Sequence, residues 1–145
     1  MALVDMGVRA VSSRLPKVIS PRNHAIIDYV MAGAFFAMVP VLWNRKRRAA
    51  IAALACGAVE TTTSMLTDYP GGVAKAISFR THGRMDAGLS GVIASLPNLL
   101  AFNEDRSALF FRSQGLGLGA VTSMTDFGPE PREERSRFRR RGYAA

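Results

Sequence analysis

Cysteine occurs once in the 145 residues, at Cys56, so an internal disulfide and any paired-thiol metal or redox motif are excluded. The lone thiol stands in the apolar run AAIAALACGAV, where it acts as a small hydrophobe. Histidine occurs only twice, at His24 and His82, and neither belongs to a His-x3-His or Glu-x2-His pair or to a c-type haem attachment motif. Nucleophile elbows, phosphate-binding loops and dinucleotide fingerprints are also lacking. The stretch GLGLG at 115–119 has no strand before it and lies in an apolar segment, so it is not a phosphate cradle. No secretory cleavage pattern opens the chain, because residues 1–20 carry charges throughout. These absences predict a protein that is not an enzyme and has no dedicated metal site.

Positive charge is missing in a pattern. The chain has 19 Lys and Arg, yet residues 23–44, 49–74, 85–105 and 113–131 contain none. Each gap approaches the ~20 residues that a helix needs to cross a bilayer. A soluble helix would carry Lys or Arg on its outer face every turn or two. Four transmembrane helices are therefore expected, near 23–43, 49–67, 85–102 and 107–126, with a soluble four-helix bundle as the alternative. Arg112 is expected to reach for the membrane interface. Gly33, Gly57, Gly91, Gly115, Gly117 and Gly119 recur inside these spans, and small residues let helix backbones approach closely in a membrane.

What the chain does contain is said twice. At an offset of 58, Lys17/Lys75, Ile19/Ile77, Ser20/Ser78, Arg22/Arg80, His24/His82, Asp28/Asp86, Gly33/Gly91, Gly57/Gly115, Thr67/Thr125 and Asp68/Asp126 are identical. Tyr69 pairs with Phe127, and Pro40 and Pro97 nearly match. The repeat unit is a helical hairpin. Two spans per unit is an even number, so both units enter the membrane from one side, as in a parallel repeat. The expected fold is all-α: two tandem hairpins, residues 17–70 and 71–128, preceded by an amphipathic interfacial segment at 1–16 and followed by a basic tail at 129–145. Val4, Val8, Val11 and Leu15 give the first segment its apolar face. Ser20 and either Ser78 or Thr81 are the expected caps of the odd helices, with Pro21 in a first turn.

The segments NHAIIDYVMAG, LTDYPGG and THGRMDAGLSG resemble those of small bacterial membrane proteins of the SPW-repeat type. Those carry a duplicated hairpin with a His-x3-Asp opening, a Thr-Asp-Tyr-Pro turn and a Ser-Pro-Trp near the far end of the odd helices. The resemblance covers roughly residues 17–128. The tripeptide itself is degraded here: MVPVLW at 38–43 and SLPNLL at 95–100 keep the proline and, once, a displaced Trp43. The resemblance implies the topology and no reaction.

The parallel repeat places His24, Asp28, Asp68, His82, Asp86 and Asp126 near one face of the membrane. His and Asp four residues apart share a helix face. Pairing across the pseudo-twofold, His24 with Asp86 and His82 with Asp28, would satisfy all four and fix how the hairpins dock. The alternatives are haem or quinone ligation by the two histidines and a divalent metal held by His and Asp; no cofactor is predicted. Glu60 stands apart, about 12 Å deeper than Asp68 along the second helix. An acidic group there is a proton or cation site, or is hydrogen-bonded by Thr61, Thr62, Thr63 or Ser64, or stays protonated.

The formal net charge of +8 makes nucleic acid or an anionic membrane surface the first partners to consider. The basic tail RSRFRRRGY at 135–143 follows a predicted span, which favours anionic lipid headgroups over RNA. Thirteen of the 19 basic residues fall on the side holding both termini and the central connection. The positive-inside rule then predicts a multi-pass protein of the bacterial inner membrane with cytoplasmic termini. The expected role is a structural or accessory subunit of a larger membrane assembly; the alternative is a ligand-binding or transport protein using the His/Asp ring or Glu60.

Overall fold

A computed structural model describes residues 15–103 and 106–128. Among them are four helices: α1 (Pro21–Trp43), α2 (Arg47–Leu66), α3 (Phe79–Leu99) and α4 (Arg106–Met124). Two short strands, β1 (Thr67–Asp68) and β2 (Ile77–Ser78), link the second helix to the third. The surface segment expected before Leu15 and the basic tail over 129–145 lie outside the described residues.

The odd helices begin alike. Ser20 Oγ accepts the Asn23 N–H at 3.3 Å with Pro21 leading the first turn, and Ser78 Oγ accepts the Thr81 N–H at 3.2 Å. Each serine satisfies a donor that the helix start leaves free. The turn after α1 is three residues long, closed by the Arg47 guanidinium 5.0 Å from the centre of the Trp43 ring. α1 packs chiefly on α2, and α3 on α4, so each hairpin is the packing unit; contacts between the hairpins are sparse by comparison.

The helix ends tie the hairpins into a ring. β1 pairs parallel with β2, matching Thr67 to Ile77 and Asp68 to Ser78. The repeat-related pair, Ile19 with Thr125, forms the corresponding bridge, with Ile19 N–H to Met124 O at 3.1 Å and Asp126 N–H to Ile19 O at 3.0 Å. The end of each even helix thus lies beside the lead-in of an odd one. The DYPGG turn needs its glycines: Gly71 has φ +109°, and a Cβ on Gly72 would overlap the Thr67 carbonyl oxygen.

The core trades volume across the repeat. Phe35 and Ala53 are fully buried in the first hairpin, and their counterparts Ile93 and Phe111 are fully buried in the second. Phe35 of α1 meets Phe110 and Phe111 of α4 with ring centroids 5.4 and 5.8 Å apart, which bridges the hairpins away from the strand ends. Outside, large apolar side chains face away from the protein: Val30 and Val41 on α1, Ile51 and Leu54 on α2, Leu99 on α3, Leu109 and Leu116 on α4.

Four spans were expected; by length and apolarity two helices meet the requirement, α1 and α2. α3 starts at Phe79, six residues before the expected 85, and takes in Arg80 and Arg84. α4 carries Arg106, Arg112, Gln114 and three glycines, which lower its hydropathy. Arg112 donates to Asn98 Oδ1 at 3.2 Å, back across its own hairpin. Of the apolar windows in α1 and α2, a third and under half are buried within the protein.

Candidate functional site: a buried His/Asp knot

The lead-ins and strand pairs bring His24 and His82 to equivalent places, each five residues past its bridge position, Ile19 or Ile77. Their rings meet edge to face with centroids 5.4 Å apart. His24, Asp28, His82 and Asp86 are all buried, none more than 1% exposed. The cross-repeat pairing is present on both sides: His24 Nε2 to Asp86 Oδ2 and His82 Nε2 to Asp28 Oδ2, each 3.1 Å. The contacts within each helix complete the square, His24 Nε2 to Asp28 Oδ1 at 3.4 Å and His82 Nε2 to Asp86 Oδ2 at 3.0 Å.

Two threonines fix the ring protons. Thr67 Oγ1 donates to Thr63 O at 2.6 Å, and Thr125 Oγ1 donates to Val121 O at 2.6 Å. A hydroxyl has one proton, so each must accept from the histidine beside it. His82 Nδ1–H therefore donates to Thr67 Oγ1 at 2.9 Å and His24 Nδ1–H to Thr125 Oγ1 at 2.7 Å. Both Nε2 atoms are left facing the carboxylates. Tyr69 breaks the symmetry: its hydroxyl donates to Asp28 Oδ2 at 2.9 Å, while Phe127 at the related position has no hydroxyl to offer Asp86. Burial pushes the Tyr69 phenol above its ordinary range, which keeps it a donor. Phe79, Phe127 and Tyr69 surround the His24 ring.

Two expected members stay outside. Asp68 is largely exposed and pairs with Lys75 at 3.3 Å; Asp126 accepts the Gly128 N–H at 2.9 Å. A strand turns successive side chains to opposite faces, so Thr67 points in and Asp68 out. The threonines and Tyr69 were not picked out as site residues from the sequence, although Thr67/Thr125 is among the repeat identities.

No family model, curated protein or solved structure matches the chain. The chemistry therefore rests on the geometry: one nitrogen from each of two histidines and a carboxylate oxygen from each of two aspartates, all within 4.8 Å of one another.

Glu60 on α2 is fully buried, and neither carboxylate oxygen has a hydrogen-bond partner. Two of the hydroxyls expected to serve it are engaged elsewhere: Thr61 donates to Gly57 O, and Thr63 to Val59 O and Glu60 O. Its repeat counterpart Leu118 is also fully buried. A shallow depression lined by Lys46, Arg47, Arg48, Ala101 and Phe102 lies at the far ends of the hairpins, ~30 Å of helix from the knot.

Proposed function

We propose that the chain is a small integral membrane protein of the bacterial inner membrane, with all four helices in the bilayer. Its His/Asp knot docks two hairpins into one rigid, non-catalytic structural or accessory subunit. The observation that carries this reading is an inverted distribution of polarity. The histidine and acidic side chains of the helices, His24, Asp28, Glu60, His82 and Asp86, are fully buried or nearly so, while Val30, Leu109 and Leu116 are about two-thirds or more exposed. Lipid tails reward that arrangement and water does not. Arg80, Arg84, Arg106 and Arg112 lie toward the ends of the less apolar pair, where long side chains reach headgroups. The likeness to SPW-repeat proteins goes with the same topology.

The docking role rests on the knot being closed. Each histidine nitrogen has a partner inside the protein, and the two carboxylates occupy the space between the rings. A haem or quinone alternative finds less support, because both Nε2 atoms face carboxylates.

Alkaline carbonate extraction tests the membrane reading: the chain should stay in the pellet, and release into the supernatant would overturn it. Mild detergent extraction followed by native mass measurement tests the accessory role. Co-purifying membrane subunits are expected, and a lone monomer would overturn that part.

A further inference from the structure

We propose that His24, Asp28, His82 and Asp86 form a structural site for one divalent transition-metal ion, with zinc the best match to the donor set. The inference goes beyond the docking role, since the knot can join the hairpins with or without an ion.

Four observations point the same way. First, the ligand atoms converge. One ligand atom from each residue lies within 4.8 Å of the others, and the Nε2-to-carboxylate contacts, counting both oxygens of Asp28, are 3.0, 3.1, 3.1 and 3.4 Å, against the ~3.3 Å that separates tetrahedral ligands ~2.0–2.1 Å from zinc. Second, protons are too few for those contacts. With Nδ1–H committed to threonine, each Nε2 carries at most one hydrogen, yet each faces two carboxylates. Asp28 Oδ1 has no hydrogen-bond partner although the residue is fully buried. A cation at the centre uses all four directions at once. Third, the outer contacts are those of ligating histidines. Such a histidine commonly donates its other N–H to a nearby acceptor, which fixes the tautomer and ring orientation, and Thr67 and Thr125 accept those protons here. Tyr69 likewise donates to a ligating carboxylate oxygen.

Fourth, the charges balance. Two carboxylates, two neutral imidazoles and one divalent cation sum to zero, which suits a site shut off from water. The ion-pair alternative is also neutral overall, but it sets two imidazolium rings edge to face at a centroid distance of 5.4 Å. Four protein ligands leave no open coordination position, so the ion holds structure and does no chemistry on a substrate. The spacing in sequence hides the site because each helix supplies a His-x3-Asp pair, and the ligand set exists only when the two repeats meet.

The test uses the full chain in detergent, stripped with a chelator and titrated with Co2+ as a spectroscopic probe and with Zn2+ as competitor. The expected result is a saturable visible spectrum of tetrahedral cobalt at one equivalent per chain, displaced by zinc. Thr67→Val and Thr125→Val keep every ligand while loosening its support, and each should weaken affinity roughly 10–100-fold. Asp86→Asn should abolish the spectrum. Far-UV circular dichroism identifies variants that remain helical, and the wild-type titration stands even where a variant does not fold. A folded, stripped wild type with no saturable cobalt spectrum overturns the proposal. So does binding that Asp86→Asn leaves unchanged in a folded protein. Either result would leave the docking role in place if the melting penalties persist.

Discussion

Replacing either knot aspartate by asparagine keeps the shape and removes one charge. Asp28 faces His24 at 3.4 Å and His82 at 3.1 Å and accepts from Tyr69; Asp86 faces the same two histidines at 3.1 and 3.0 Å. Losing one charged partner from a buried cluster strands the others, at a cost of ~3–5 kcal/mol. At roughly 2–4 °C per kcal/mol for a chain near this size, each variant should melt some 6–20 °C lower in detergent. Cys56 offers the assay. It is the single thiol and is buried, so a thiol-reactive dye reports its exposure on unfolding. The repeat gives each carboxylate the same pair of histidines, but Tyr69 donates to Asp28 alone, so Asp28→Asn should lose somewhat more than Asp86→Asn. The double variant should lose less than the sum, because both act on one cluster. Unchanged melting in both single variants would refute the docking role.

Four further outcomes follow from particular contacts. Gly115→Ala places a Cβ 2.6 Å from Ser90 O and 2.7 Å from Ala94 N, both backbone atoms; it should destabilise by ~1–3 kcal/mol. Gly117→Ala meets open space and should gain up to ~1 kcal/mol from helix propensity, measured in the same melts. Glu60→Leu copies Leu118 at the related position and removes two unpartnered oxygens, so it should raise stability by about 1–3 kcal/mol; a loss would mean that the carboxylate is engaged. Tyr69→Phe copies Phe127, removes the hydrogen bond to Asp28 and should cost roughly 1.5–3 kcal/mol in the wild type. In the Asp28→Asn background its cost should shrink, and a double-mutant cycle reads the coupling.

The fold and half of the site were legible because the chain repeats itself. Identity at an offset of 58 placed His24 beside Asp86 and His82 beside Asp28, and local cap signals offered Ser20 and either Ser78 or Thr81, of which Ser20 and Ser78 cap the odd helices. What stayed hidden was set by local geometry. Thr67 and Asp68 are neighbours in sequence, but a two-residue strand sends one into the knot and the other to Lys75, and composition gives no sign of which. The span expected from 85 left out the first turns of α3, because Arg80 and Arg84 read as connection although the Ser78 cap starts the helix ahead of them. Hydrogen bonding by its hydroxyl neighbours was one of three options for Glu60, but hydroxyls in a helix bond to carbonyls one turn back, as Thr61 and Thr63 do.

The strand ties close the chain on itself, since the end of α4 lies against the lead-in of α1 just as the end of α2 lies against the lead-in of α3. Neither hairpin is first in any physical sense. A gene cut between residues 70 and 71 would yield two halves that each present one His-x3-Asp motif and need the other's to fill the centre. Two copies of a single such hairpin, facing each other across the twofold, would make the same square, so the chain has the form of a fused homodimer in which Tyr69 and Glu60 mark one half alone.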